Sequence, residues 1–183
     1  MKAPRIQTLA VVSLLALTAC GSETVPVSLI ADPGPQSLYD PYAISDGDTF
    51  VGDIRINSQT DLDQFSDYKR IQGHVTIGSE YLTELKWSKL QKIDGYLFIW
   101  ENPSLKVIDL PSLREVGQTL LIRENNRLTE ASFPALEKIG GTLSIVYNQR
   151  LSNCVVQDLE TAIGASNIAE GVFAQGNYDE PGC

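Results

Sequence analysis

A repeat of about 23 residues dominates the sequence from residue 50 onward. Each copy carries a doublet of apolar residues separated by one other residue, and the second members of the doublets lie 21, 22, 23 and 23 residues apart. A period of this length indicates a repeat architecture, in which one coil cannot bury its apolar residues alone but a stack of coils can. The five doublets are Ile54/Ile56, Val75/Ile77, Leu97/Ile99, Leu120/Ile122 and Leu143/Ile145.

Each doublet predicts a short strand whose two apolar side chains point inward, because residues i and i+2 of a strand share a face. Strands one coil apart then pair in parallel, about 4.8 Å from one another. We therefore predict a mainly β fold over residues 49–183, a short parallel β-solenoid of about five to six coils. Short helices are expected to cap both ends, at residues 60–67 and at about 154–163, with Asn153 as the N-cap and Gly164 as the end of the second helix.

Two further columns of the repeat have structural interpretations. Four residues before the second member of each doublet stand Gly52, Gly73, Gly95, Gln118 and Gly141. We interpret these glycines as turn residues with positive φ. Three residues after it, the later coils carry Asn102, Asn125 and Asn148. An asparagine amide both donates and accepts hydrogen bonds, so we predict a structural Asn ladder that satisfies buried backbone groups.

The amino terminus resembles that of a bacterial lipoprotein. Lys2 and Arg5 precede an apolar run over residues 6–17, which is too short to span roughly 30 Å of hydrocarbon as a helix. The string L-T-A-C-G at residues 17–21 resembles a lipobox, whose cysteine becomes the lipidated first residue. This resemblance implies a signal peptide over residues 1–19 and a cell-envelope protein anchored through acyl chains on Cys20, in the outer membrane because Gly21 rather than Asp follows. A hydrophobic run with a chance cysteine is the alternative.

The assignment of Cys20 to lipid also determines how we interpret the segment that follows it and the two other cysteines. Prolines and glycines interrupt residues 20–48, which we interpret as a flexible tether behind the lipidated cysteine. With Cys20 assigned to lipid, Cys154 and Cys183 remain as a natural disulfide pair in an oxidising envelope. That disulfide would hold the carboxyl-terminal tail over the last coil.

The pattern L-x-I-x-x-N-x-x-L-x-x-x-x-x-P-x-L-x-x-I/V-G occurs twice, at residues 97–117 and 120–140. It resembles the receptor L domain, the short leucine-rich-repeat-like β-helix found in the ectodomains of insulin- and EGF-receptor relatives. The resemblance covers roughly residues 50–183 and implies a right-handed parallel solenoid that binds protein ligands or partner domains. Receptor-type signalling is not implied, because this sequence has one copy and a lipobox where the receptors have a membrane-spanning segment.

The outward residues of the third coil form the candidate binding surface. Tyr96, Phe98 and Trp100 alternate with the inward doublet and should face solvent. Stacking places Leu121 of the next coil beside Phe98, and Arg123 beside Trp100. Aromatic residues and Arg dominate binding hot spots, so we hypothesise a protein or glycan ligand here. The alternatives are a simple preference of aromatic residues for strands and cover by the tether.

Composition and motifs argue against several other classes of function. The formal net charge of −9 and the pI near 4.5 disfavour a nucleic-acid partner. The sequence has no nucleophile elbow, zinc-protease motif, P-loop or dinucleotide fingerprint, and His74 with two distant thiols is a poor metal site. We therefore expect a binding or adhesion module with no catalytic residues, cofactor or metal. A structural envelope lipoprotein without a discrete ligand is the first alternative, and a β-helix enzyme acting on polysaccharide is the second.

Overall fold

The computed structural model describes residues 47–179 and 181–182. In this part of the chain, short strands are interrupted by the helices α1 (Gln59–Phe65) and α2 (Asn153–Ile163) and by a 3₁₀ helix, Ala165–Asn167. The strands in chain order are β1 (Thr49–Val51), β2 (Ile54–Ile56), β3 (Arg70–Gln72), β4 (Val75–Ile77), β5 (Glu84–Lys86), β6 (Lys92–Ile93), β7 (Leu97–Trp100), β8 (Val107–Asp109), β9 (Glu115–Val116), β10 (Leu120–Arg123), β11 (Glu130–Ser132), β12 (Lys138–Ile139), β13 (Leu143–Val146) and β14 (Val172–Gln175).

These strands form three parallel sheets, which are the three sides of a β-solenoid. The main sheet has six strands in the order β14-β13-β10-β7-β4-β2. The second sheet has the order β1-β3-β6-β9-β12, and the third has the order β11-β8-β5. The predicted mainly β, parallel solenoid is confirmed, although it makes about four turns rather than the five to six coils expected. Helices α1 and α2 stand where the third strand of the first and last coils would be, which shortens the regular stack.

Both predicted helices exist, but each begins slightly earlier than expected. Helix α1 begins at Gln59, after Ser58, whose side chain accepts the N–H of Asp61. Helix α2 begins at Asn153 itself, because Ser152 is the N-cap and its hydroxyl oxygen accepts the N–H of Cys154. Serine is as good an N-cap as asparagine, so the helix begins one residue earlier than the asparagine predicts. Gly164 ends α2 at φ 81°, as predicted.

All five inward doublets lie in one continuous core with the leucines of the turns. Several glycines lie where neighbouring coils come into close contact. The prediction that glycine is needed there for a positive φ holds for only one of them. Among the four glycines of the predicted turn column, only Gly52 has a positive φ, at 134°. At Gly73 a Cβ would overlap the carbonyl oxygen of Gly52, and at Gly95 it would overlap the imidazole of His74. Neighbouring coils therefore approach too closely for a side chain, and space rather than backbone conformation requires glycine at these two positions.

A buried ladder of amides joins the coils at the corner after the main sheet. Asn102, Asn125 and Asn148 have no exposed surface. The Oδ1 atom of each accepts the backbone N–H one coil earlier, from Ser79 at 2.7 Å, Asn102 at 3.1 Å and Asn125 at 3.0 Å respectively. Each Nδ2 also donates back to a carbonyl of the preceding coil, at 3.0–3.2 Å. Buried backbone groups that would otherwise lack partners are satisfied in this way.

The ladder extends beyond the three predicted residues at both ends. At the front, Ser79 takes the position of an asparagine, and its hydroxyl oxygen accepts the N–H of Leu82 at 3.2 Å. At the back, Asn177 accepts the N–H of Asn148 at 3.0 Å and donates to the carbonyl of Ile145 at 2.7 Å. Sequence reasoning missed Asn177 because helix α2 lengthens the last interval to 29 residues.

The residue before each of the three buried asparagines has a left-handed backbone. Glu101, Glu124 and Tyr147 have φ values of 53°, 56° and 57°. This conformation costs roughly 1–2 kcal/mol for a residue other than glycine. A buried hydrogen bond contributes about 1 kcal/mol net, and each asparagine makes several, so the ladder outweighs the strain. Asn102 also donates back to the carbonyl of Trp100 at 3.0 Å, which holds the chain across the strained residue.

The membrane and disulfide predictions fall largely outside the described residues. The signal peptide over residues 1–19, Cys20 and nearly all of the tether lie there, as does Cys183. Cys154, the second residue of α2, is disulfide-bonded, and its pairing with Cys183 remains a prediction. Over residues 47–179 and 181–182, no helix combines the length and the apolar character needed to cross a bilayer.

From the close approach of the coils we predict which glycine is essential for stability. A Cβ at Gly140 would overlap the carbonyl oxygen of Gly117, whereas a Cβ at Gly78 would meet nothing nearer than the carbonyl oxygen of Trp100 at 3.7 Å. Overpacking against backbone costs about 1–3 kcal/mol, so Gly140→Ala should lower the free energy of urea unfolding by that amount. Gly78→Ala is the matched control and should change it by less than about 0.5 kcal/mol. Equal effects of the two changes would contradict the proposed close packing.

From the hydrogen bonds of the Asn ladder we predict how much stability one asparagine contributes. Asn125→Ala removes the acceptor of two Asn102 donors, at 3.1 and 2.9 Å, and leaves the carbonyl of Ile99 without its side-chain donor. Each buried group left unsatisfied costs about 1–3 kcal/mol, so the expected loss of unfolding free energy is about 3 kcal/mol or more. Asn126→Ala changes the exposed neighbour and should be nearly neutral. Thermal unfolding followed by circular dichroism measures both, and a small loss for Asn125→Ala would show that the ladder is dispensable.

Candidate functional site

The outer face of the main sheet carries the predicted site residues. Strand β7 alternates buried and less buried side chains, so Leu97 and Ile99 enter the core while Phe98 lies on the outside. Tyr96, directly before β7, and Trp100, its last residue, lie on the same outer side by the same alternation.

Two of the three aromatic rings belong to a stack that also includes a histidine. The imidazole of His74 lies 4.0 Å from the ring of Tyr96, centroid to centroid, with an interplanar angle of 13°. The ring of Tyr96 lies 4.0 Å from that of Phe98 at 20°. The missing side chain of Gly95 admits the imidazole, and the N–H of Tyr96 donates to His74 Nδ1 at 3.1 Å. The main chain and the neighbouring rings together fix the orientation of this stack.

This stacking corrects the expectation that three rings stand free in solvent. Tyr96 and Phe98 are only half-exposed, because parallel rings at 4.0 Å cover one another's faces. Trp100 is the exposed member of the three, with 37% of its surface accessible. The predicted aromatic surface therefore consists of an exposed indole beside a rigid, half-buried stack.

Leu121 and Arg123 lie where the repeat placed them. Strand β10 pairs with β7 so that Leu121 is opposite Phe98 and Arg123 is opposite Trp100. The guanidinium of Arg123 donates through Nε and Nη2 to Oε1 of Glu124, at 2.9 and 2.6 Å. The hydrogen bond to Glu124 raises the pKa of Arg123 above its usual value, and the negative charge of Glu124 adds a smaller effect in the same direction. Arg123 is thus a cation held in place at the edge of the aromatic residues.

Strand β14 adds a residue that the sequence did not reveal. Phe173 is 58% exposed, and it continues the outward line from Phe98 through Leu121 and Ser144. Helix α2 and the 3₁₀ helix separate β14 from the regular repeat, so the spacing rule could not locate it. Its signal in the sequence is the alternation of Val172 and Ala174 around Phe173.

One residue on the outer side of the main sheet is buried. Val146, the last residue of β13, retains only 7% of its surface, although it is outside the core cluster. Arg123 of β10 and Gln175 of β14 flank it in register. Val146 is therefore covered although strand alternation directs its side chain outward, because β14 pairs with β13 on one side of it.

A shallow groove of about 300 Å³ lies beside the exposed indole. Trp100 and Glu101 line it together with Gly78, Glu80 and Arg55. Gly78 leaves open space next to the indole because it has no side chain. The arrangement offers an apolar ring with charged groups of both signs nearby, which suits recognition of a ligand that has both apolar and polar parts. Among the residues that the structure describes, no group of three or more His, Cys, Asp or Glu side chains is arranged to hold a metal ion.

The sequence matches the receptor L domain family over residues 48–162. This segment is more than half of the chain, and it contains all the predicted binding residues and the three predicted asparagines. The chain belongs to the receptor L domain family. No curated protein matches it significantly.

Receptor L domains are ligand-binding modules rather than enzymes, which agrees in general terms with a non-catalytic surface. The family match ends before β14, so Phe173 and Asn177 lie in a segment of this receptor L domain that the family pattern does not cover. The binding role of Tyr96, Phe98, Trp100, Leu121 and Arg123 stays a prediction.

Proposed function

We propose that this protein is a lipid-anchored bacterial envelope protein, located in the outer membrane, whose receptor L domain binds a protein or glycan ligand. The surface that we assign to binding is the outer face of the main sheet around Trp100. One observation supports the assignment above the others. Strands β7 and β14 both carry exposed or half-exposed aromatic residues on the outer face of the main sheet, where the core needs none of them.

Energetic considerations favour Trp100 and Phe173 as the main anchors. Aromatic side chains contribute most at interfaces when they are buried on binding, and these two still have surface to bury. Tyr96 and Phe98 already cover part of each other and of His74. We assign them the role of a rigid support, which lowers the entropic cost of ordering the surface on binding.

The binding assignment predicts a loss of ligand capture without a loss of stability. Trp100→Ser with Phe173→Ser should weaken binding about tenfold or more, since interface anchors contribute 2 kcal/mol or more when truncated. The measurement is photo-crosslinking on intact cells from a probe placed at Leu121. Tyr81→Ser removes a ring that is 84% exposed but outside the main sheet, and it should leave the crosslink unchanged.

Thermal unfolding of the same variants separates binding from folding. Surface changes of this kind normally alter stability by less than about 0.5 kcal/mol, so the melting temperatures should stay close to that of the parent protein. Unchanged crosslinking in the double variant would reject this face as the binding site. The absence of any specific crosslink across growth conditions would instead favour a purely structural envelope protein.

The membrane part of the proposal rests on the lipobox-like string around Cys20 and has its own test. Several acyl chains anchor a protein firmly, because each buried CH₂ contributes about 0.8 kcal/mol. Cys20→Ser should abolish incorporation of labelled palmitate and move the protein from the membrane fraction to the soluble fraction. Cys154→Ser is the control, because it removes a disulfide-bonded cysteine of the solenoid, far in sequence from the lipobox-like string, and should leave the label in place. Palmitate retained after Cys20→Ser would overturn the lipoprotein assignment without affecting the binding assignment.

A further inference from the structure

The positive side chains of the described residues fall into two groups. Eight of the twelve Lys and Arg side chains there have a carboxylate within 4.0 Å. The remaining four, which have no such partner among the described residues, are Arg55, Lys106, Arg127 and Arg150. The mature chain has far more acidic than basic residues, so a shortage of carboxylates does not explain these exceptions.

Three of the four exceptions line one groove. Lys106, Arg127 and Arg150 surround a concavity of about 310 Å³ together with Thr129. Arg127 and Arg150 each follow a ladder asparagine by two residues, so they occupy equivalent places in consecutive coils. The N–H of Thr129 donates to the carbonyl of Lys106 at 3.0 Å, which ties the third cation to the same corner.

Such a cluster is electrostatically unfavourable in the free protein. Residues at equivalent places in paired coils lie about 4.8 Å apart along the stack, and like charges at that spacing repel. The second sheet avoids this problem because each of its stacked cations is paired with a carboxylate. There Glu115 lies between Lys92 at 2.8 Å and Lys138 at 3.6 Å, and Arg70 binds Asp94 at 2.7 Å. The groove lacks this compensation, and it therefore favours a bound anion.

The geometry points to a second binding site in this groove, for the oxyanion groups of an acidic glycan. Guanidinium groups bind carboxylate and phosphate oxygens in a bidentate manner, and Lys106 adds a point charge. The groove volume is within the range of small-ligand sites, so it fits a sugar unit with its acidic group. An anionic bilayer is a poorer candidate, because the formal charge of −9 repels such a surface as a whole. The site does not depend on the aromatic face or on lipidation.

The experiment uses the full mature chain in detergent and isothermal titration calorimetry. The probe is a short oligogalacturonate, in which every sugar unit carries a carboxylate, and the comparison ligand is a neutral maltooligosaccharide of the same length. The acidic probe should bind with an affinity that falls as salt is added, and the neutral one should not bind. Arg127→Gln with Arg150→Gln should weaken binding of the acidic probe about tenfold or more. Inorganic phosphate should compete with the probe.

The matched control is Lys89→Gln with Arg114→Gln. This pair removes the same charge from two exposed cations outside the groove, each paired with a carboxylate, and it should leave the affinity nearly unchanged. An equal loss in both double variants would mean attraction by overall charge and would overturn the site. Equal binding of the neutral glycan, or no binding of the acidic probe, would also overturn it. Vesicles of anionic phospholipid that bind through Arg127 and Arg150, while the acidic probe does not, would assign the groove to a lipid headgroup instead.

Discussion

The buried Asn column is the interaction on which the order of the coils depends. Parallel strands join neighbouring coils along the sides, but the corner after the main sheet bends through a left-handed residue and would leave backbone groups without partners inside the protein. Asn102, Asn125 and Asn148 each bridge two coils there and satisfy those groups. The bridge forms only when equivalent residues are adjacent, so it also fixes the register of β7, β10 and β13. A slip of one residue would turn every inward side chain outward.

A fixed register frees the outer face for other roles. Once the doublets and the amides hold the coils together, the outward residues of each strand can change without loss of the core. The second sheet uses this freedom for ion pairs between coils, such as that between Lys92 and Glu115. The main sheet carries instead the stack of His74, Tyr96 and Phe98, with Trp100 at its edge. The difference between the two sheets is chemical rather than architectural, and it is the reason that we propose the main sheet as the binding face.

The sequence was sufficient to predict the features that recur from coil to coil. It was not sufficient to predict the features that lie beyond a break in the repeat. Inward doublets, parallel pairing and the asparagines recur at a nearly constant interval, so spacing alone located them. Phe173 and Asn177 belong to the same columns but lie beyond α2, where the interval grows and no longer guides the alignment. The sequence also does not show why the repeat requires glycine at its turn positions. The requirement comes from close contacts between coils, such as that of Gly95 with His74, which depend on packing. Ring stacking was missed for the same reason, since it depends on where two neighbouring side chains rest.

The two candidate surfaces differ in the range over which they act. At the aromatic face, binding would come from burying apolar area, a short-range effect that salt hardly changes. At the groove of Arg127 and Arg150, binding would come from charge, but the rest of the protein is acidic and opposes the approach of anions from a distance. Three local cations therefore cannot act as a general attractor for polyanions. They favour only a ligand whose acidic group enters the groove and contacts the guanidinium groups directly, and for this reason the unpaired cluster indicates a specific site rather than a charged surface.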